Sequence, residues 1–182
     1  GCSSGVVAIE MAAQFAGKIT AFDIDEHALK RLKEKSAELQ LTGRINIINS
    51  SLLDLKLPEK SYDLIIAEGL LNVTGFENGF QHLLKFLKPA GFMIIHDEYR
   101  DQEAKQKFIE ESGCKLLHTF SLDENVWRDD YYKCLEAEIR SLTEKLRHKF
   151  ESGLREIETL MQNPLEFRSR YYIAERVTNH LK

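Results

Sequence analysis

Along residues 5–122 the apolar positions change period repeatedly, from spacings of three and four to short near-continuous runs and back. Residues 5–15, GVVAIEMAAQF, place Val6, Ile9 and Ala13 on one helical face with Met11 and Phe15 at its flank. Ser3 or Ser4 stands where it can cap that helix, and Gly17 where it can end it. KITAFD (18–23) reads as a short strand. Asp25 is the expected cap of a helix over 26–41, whose Leu29, Leu32 and Leu39 share a face and which Gly43 closes. RINIINS (44–50) alternates β-branched and polar residues, as a strand does. YDLIIAEG (62–69) is the run expected of a strand covered on both faces of a parallel sheet. A helix over 76–87, a turn and strand over 88–99, a helix over 101–113 and a strand over 114–122 complete the series. This alternation predicts an α/β chain built on a parallel sheet.

The pattern then changes. Residues 123–163 carry no strand signal, and Leu135, Ile139, Leu142, Leu146, Phe150, Leu154, Ile157 and Met161 recur at spacings of three and four. That is an amphipathic helix or helical pair, with a break expected near Gly153. After Pro164, residues 166–177 read as a last strand.

Composition narrows the function classes. The 182 residues carry a formal net charge of -4, and the Lys/Arg-rich stretch LKRLKEK is interleaved with acids, so nucleic acid is not the expected partner. Cys2, Cys114 and Cys134 are far apart, with no CxxC, which fits buried or half-buried thiols in a reducing compartment. The histidines His27, His82, His96, His118, His148 and His180 show no HxxxH or HExxH pairing, and no metal is expected. No apolar run approaches 18 residues, so no membrane span is expected, and no leader is visible.

The chemistry concentrates at strand ends. GCSSG opens the chain and runs into a helix, and Asp23 ends the next strand 18 residues after Gly5. In an open α/β sheet, ligands sit at the C-terminal strand edges; glycines allow close backbone approach, and an acid there suits a ribose hydroxyl pair. A G-x-G-x-x-G dinucleotide fingerprint fails in every register, because Cys2, Ser3, Ser4 or Val6 falls where glycine is required. No GK[ST] is present, which removes a P-loop. The glycines fit G-x-(G/S)-x-G instead.

On these residues the chain resembles the class I S-adenosylmethionine-dependent methyltransferases. GCSSG matches their D-x-G-C-G-x-G motif from its first glycine, with Ser3 at the middle glycine. ITAFDIDEHAL, PEKSYDLIIAEGLL and LLKFLKPAGFMIIHDE resemble the later motifs, in the right order, over residues 1 to about 98. FSLDENVWRDDYYKCLEAEI and RYYIAERV are similar to segments of a small-molecule subgroup. The resemblance implies a Rossmann-like, seven-stranded, mostly parallel sheet with an antiparallel last strand, and an α-helical insertion before that strand. It implies one domain over 1–182 with a lid or insertion over 123–163. It also places a strand and an acid before Gly1, so the chain is expected to enter partway through the motif.

The implied cofactor is S-adenosyl-L-methionine. Gly1, Ser3 and Gly5 would pass close to its methionine part, or form a plain turn. Asp23 would take the ribose hydroxyls, and Ile24 would pack on adenine or belong to the core. Ser51 and Leu52 stand where the family often has an acid and a small residue, so hydroxyl and backbone N–H contacts to adenine are expected. Glu68 would bind, act as a base or lend only its carbonyl. His96 is a candidate general base; adjacent residues on a strand point to opposite faces, so His96, Asp97 and Glu98 cannot all line one pocket. Trp127, Tyr131 and Tyr132 would line an acceptor pocket or pack as core. The implied activity is methyl transfer to a small-molecule acceptor by a cytoplasmic enzyme, with homodimerisation through the helical insertion as one use of its apolar stripe. The alternatives are an aminopropyl transferase and a non-catalytic binding or regulatory subunit on the same fold.

Overall fold

A computed structural model describes residues 1–178; residues 179–182, with His180, lie outside the described residues. The described residues form six strands, β1 Ile19–Asp23, β2 Ile45–Asn49, β3 Tyr62–Glu68, β4 Leu87–Glu98, β5 Cys114–Leu122 and β6 Ser169–Arg176, with helices between successive strands up to β5 except from β2 to β3, which a loop joins. The helices in that half are α1 Val6–Gln14, α2 Glu26–Glu38, α3 Leu71–Thr74, α4 Phe76–Leu84 and α5 Gln102–Glu111. Between β5 and β6 lie a π-helical turn, Val126–Tyr132, and then α6 Lys133–Ser141, α7 Glu144–Arg147 and α8 Glu151–Gln162.

The α/β architecture, the antiparallel last strand and the helical insertion are as the sequence implied, but the seven-stranded sheet is not. The described strands form two sheets, β1-β2 and β3-β4-β6-β5. β1 with β2 and β3 with β4 are parallel; β6 is antiparallel to both β4 and β5. No described residue supplies a ladder between β1 and β3. A slit of about 90 Å³, lined by Thr20, Phe22, Tyr62, Leu64 and Ile66 among others, separates them. Tyr62 Oη donates across it to Thr20 Oγ1 at 3.1 Å.

The main core packs Leu71, Phe80, Leu87, Met93, Ile95, Ile109 and Tyr172, all fully buried, on the larger sheet. A second core joins α1 and α2 to β1 and β2 through Ala8, Ala12, Ala21, Leu29, Leu32 and Ile45. The insertion has a small core of its own, Tyr132 and Ile157 with Trp127, Leu135 and Leu154.

Several element boundaries depart from expectation for local reasons. Neither Ser3 nor Ser4 caps α1: Gly5 is its N-cap, at φ 78°, with no side-chain bond. The buried face of α1 is Ala8 and Ala12, while Val6 and Phe15 are exposed. Asp25 caps α2 as expected, its carboxylate accepting from the N–H groups of His27 and Ala28. That helix stops before Gly43, however, because Gln40 takes the left-handed turn, and Leu39 is left exposed. α4 ends at Leu84 and Leu87 already pairs with Tyr62, since the residue before Pro89 disfavours helix. The insertion breaks at Leu142, which is extended, and again at a 3-10 turn over His148–Phe150, close to the break expected near Gly153, which itself lies in the first turn of α8. Its stripe is only half covered: Ile139 and Ile157 are buried, whereas Leu146, Phe150 and Met161 are exposed. Cys114 is buried and Cys134 exposed. Among the described residues no helix is long and apolar enough to cross a membrane.

Candidate active site

The opening turn folds back over the end of β1. Cys2 N–H donates to the Phe22 carbonyl at 2.8 Å. Ser3 N–H donates to Asp23 Oδ2 at 2.7 Å, and Asp25 N–H to Asp23 Oδ1 at 3.0 Å. Each carboxylate oxygen thus uses one acceptor direction on the chain and keeps another. Burial alone pushes the Asp23 carboxyl up, but the N–H donors of Asp25 and Ser3 outweigh it and hold it below the usual carboxylate range.

The turn is close-packed at both glycines. A Cβ on Gly1 would stand 3.0 Å from Leu70 Cδ1, and one on Gly5 2.1 Å from Leu32 Cδ1. Ser3 sits at φ 48°, a conformation that costs a residue with a Cβ about 1–2 kcal/mol. Ser3→Gly is therefore expected to raise the unfolding free energy by about 1 kcal/mol, read from urea denaturation, because the strain removed exceeds glycine's extra chain entropy. A loss of stability would show that the Ser3 side chain holds the turn.

Because β1 and β2 are parallel with Asp23 opposite Asn49, the segments after both strands leave the sheet on the same edge. Asn49 Nδ2 donates to the carbonyls of Asp23 and Ile24, both at 3.1 Å. Ile24 stands 71% exposed beside Asp23, an apolar surface without cover. Ser51 Oγ donates to Asp54 Oδ2 at 2.6 Å and accepts the Asp54 N–H at 3.2 Å, so its hydroxyl serves a local turn. The Leu52 side chain is in the main core at 2% exposure, which leaves only its backbone to meet a ligand.

The ends of β3 and β4 carry the second half of the site. Glu68 and Gly69 line a cavity of about 360 Å³, and the next residue, Leu70, packs against Gly1 of the turn. His96, opposite Glu68 in the ladder, lines the same cavity. Antiparallel pairing brings Tyr171 beside His96 and Phe120 beside Tyr171. Four rings then lie nearly parallel: Trp127 on His96 (5.8 Å between centroids), His96 on Tyr171 (4.4 Å) and Tyr171 on Phe120 (4.8 Å). Leu122, Val126, Asp130 and Tyr131 close the cavity from the insertion side.

Hydrogen bonding and burial both act on His96. Trp127 Nε1–H donates to Ser169 Oγ at 3.3 Å, and Ser169 Oγ lies 2.7 Å from His96 Nε2. The serine hydroxyl keeps a second lone pair as well as its proton, so it can pair with either neutral tautomer of His96 at Nε2. Burial lowers the His96 pKa below its ordinary 6.5, only partly opposed by Glu68 and Asp97. The folded protein therefore favours the neutral ring. That preference adds stability above pH 6.5 and is lost as the pH falls through 6.5 toward the folded pKa. In His96→Gln the loss of stability on going from neutral to mildly acidic pH should be smaller than in the parent; an identical slope in denaturation midpoint would clear His96 of that role.

Asp97 faces the other way, buried, with Lys105 Nζ 2.9 Å from its Oδ2. Glu68 Oε1 accepts from Tyr171 Oη at 2.9 Å; burial first, then this bond, push the tyrosine pKa up to about 12. Trp127 and Tyr131 line the cavity, but Tyr132 does not: it is 4% exposed inside the insertion, its hydroxyl donating to Glu156 Oε1 at 2.6 Å. Tyr171, Ser169 and Asp130 belong to the site without having been singled out from the sequence. The likeness of RYYIAERV to a family strand pointed near the first of them, and that of FSLDENVWRDDYYKCLEAEI to a family segment covered the last.

Comparison with known proteins follows this geometry. The sequence profile of the methyltransferase domain family matches residues 1–91. The ubiquinone/menaquinone biosynthesis C-methyltransferase of Shewanella sediminis is 34% identical over 103 residues, 56% of this chain and 41% of that protein. The chain thus spans about two fifths of that relative. Among solved structures, the [4+2]-cyclase SpnF superposes with a TM-score of 0.84 at 14% identity, covering 98% of this chain and 74% of that one. A SAM-dependent methyltransferase from Geobacter sulfurreducens in complex with S-adenosyl-L-homocysteine gives 0.74 at 14% identity, covering 96% and 81%. At these identities the structures establish a shared fold.

Proposed function

The chain belongs to the methyltransferase domain family, and from that premise we propose that it transfers a methyl group from S-adenosyl-L-methionine to a small-molecule acceptor. One observation carries the reading. The close-packed turn with Asp23 lies on one side of the β3 end, and the aromatic cavity on the other, joined through Glu68, Gly69 and Leu70.

The residues fit the cofactor. Asp23 accepts one chain N–H on each oxygen and keeps a second acceptor direction on each, and Ile24 offers an exposed apolar face. In this reading Gly1, Ser3 and Gly5 hold the methionine part, Asp23 the ribose, and Ile24, Ser51 and the Leu52 backbone the adenine. When bound, the cofactor supplies an electrophilic methyl on a sulfonium. The protein's part is alignment: fixing an acceptor atom in line is worth roughly 7–11 kcal/mol. Trp127 and Tyr131 hold the acceptor, and Glu68 or neutral His96 accepts a proton from an acceptor that arrives protonated. Tyr132 anchors the insertion from within. Residues 123–163 act as a lid within a single domain over 1–182, and their exposed Leu146, Phe150 and Met161 are the surface for a homodimer.

A second reading is favoured by one finding, the close superposition on a protein named as a [4+2]-cyclase. In it the fold binds the cofactor, and the cavity performs no methyl transfer. Calorimetry with S-adenosylmethionine, on protein freed of carried-over ligand, comes first; an absence of heat at millimolar cofactor would sink both readings. Incubation with metabolite pools and cofactor labelled on the transferable methyl then separates them. Label leaving the cofactor supports methyl transfer, and binding without transfer supports the second reading.

A further inference from the structure

The cavity beside Glu68 has a charge and a shape that select among ligands. Two carboxylates, Glu68 and Asp130, line it, and among the described residues no lysine or arginine does. The basic residues flanking Asp130 in sequence are engaged elsewhere: Arg128 and Lys133 both contact the Asp129 carboxylate, at 3.0 and 2.7 Å. Among the described residues no ion pair reaches Asp130. Glu68 receives only the neutral Tyr171 hydroxyl on its Oε1. An anionic ligand would meet two like charges here, and a wholly apolar one would strip water from them without compensation.

The walls are aromatic. Trp127 and Tyr131 meet edge to face at 87°, with centroids 5.9 Å apart, and so form a corner. Tyr171 is held in the ring stack between His96 and Phe120, 4.4 and 4.8 Å away, which cover both its faces, so the open rings are those of Trp127 and Tyr131. Aromatic faces attract cations within about 6 Å, tryptophan most strongly, and such corners with nearby carboxylates suit alkylammonium groups. At about 360 Å³ the cavity holds a small molecule.

We propose that this cavity is a cation cage, and that its ligand presents an alkylammonium group to Trp127 and Tyr131, with Glu68 and Asp130 supplying the counter-charge. A protonated amine donates its N–H to either carboxylate; a quaternary ammonium relies on the rings. That this ligand is the methyl acceptor rests on the proposed methyl transfer, whereas the cage itself does not.

Trp127 is the single tryptophan of the chain, so its fluorescence reports on this cavity alone. The experiment titrates the protein with choline, with its neutral carbon isostere 3,3-dimethylbutan-1-ol and with the anion 3,3-dimethylbutanoate, following fluorescence and calorimetric heat. Choline is expected to bind about tenfold or more tighter than the isostere, with the anion weakest. Glu68→Gln and Asp130→Asn, which keep size, should each narrow the choline-to-isostere ratio several-fold. An isostere or anion that binds as tightly as choline overturns the cage, as does the absence of any saturable signal with choline. Cofactor calorimetry on the same preparation keeps the two ideas apart. Choline binding without cofactor binding upholds the cage and sinks the methyl-transfer reading; cofactor binding with the isostere preferred overturns the cage and leaves the methyl-transfer reading to the labelling experiment.

Discussion

Gly5→Val is expected to lower the unfolding free energy by about 3–5 kcal/mol, the largest stability effect available from one residue of the site. Two penalties combine. Gly5 is at φ 78°, where a residue with a Cβ pays about 1–2 kcal/mol, and a β-branched one more. The new Cβ would also stand 2.1 Å from Leu32 Cδ1, and Leu32 is fully buried between α1, α2 and β1, with no room to retreat. Overpacking of that kind typically costs about 1–3 kcal/mol. Urea denaturation measures the total. The second-site change Leu32→Ala opens the space, so in Gly5→Val/Leu32→Ala the two losses should add to less than their sum. Strict additivity, or a single-variant loss under about 1 kcal/mol, would show that the turn is not seated on Leu32.

Asp23→Ala should weaken binding of S-adenosylhomocysteine by roughly 100-fold. In the proposed site the carboxylate takes both ribose hydroxyls, and two hydrogen bonds to a charged group are worth about 1.5–3 kcal/mol each before losses to water are regained. The same substitution removes the acceptor of the Ser3 and Asp25 N–H groups, which lets the turn drift from the end of β1. Asp23→Asn separates the two effects, because its one remaining carbonyl oxygen still accepts from one N–H while the charge is gone. Calorimetric dissociation constants for parent, Asn and Ala forms should rise in that order. Unchanged affinity in Asp23→Ala would remove Asp23 from the cofactor site.

Much of the site's first half was legible in the order of residues. The reason is that its determinants are local. The Asp25 cap of α2 and the position of Asp23 at a strand end are settled within four or five residues of chain, whereas the cap of α1 expected at Ser3 or Ser4 falls to Gly5. The apolar runs of β3 and β4 mark strands by themselves, and strand alternation alone separates His96 from Asp97. The halt of α4 before Pro89 is equally local, although the reading of 76–87 as helix overran it.

The second half was decided by pairing over long distances. His96 meets Ser169 across 73 residues and Glu68 meets Tyr171 across 103, because β6 enters antiparallel between β4 and β5 in a register that no local signal encodes. The pattern YY in that strand does not say which tyrosine faces the cavity. Register does, sending Tyr171 to the ring stack and Tyr172 to the core. The same holds in the insertion, where Tyr131 reaches the cavity and Tyr132 turns inward, since a π-helical turn shifts the angular spacing that helical periodicity assumes. Glycine conformation, capping and alternation are properties of short chain segments, and the sequence determines them directly. Which faces meet, how many strands join one ladder and which side chains share a cavity follow from packing the whole chain, and only the tertiary structure decides them.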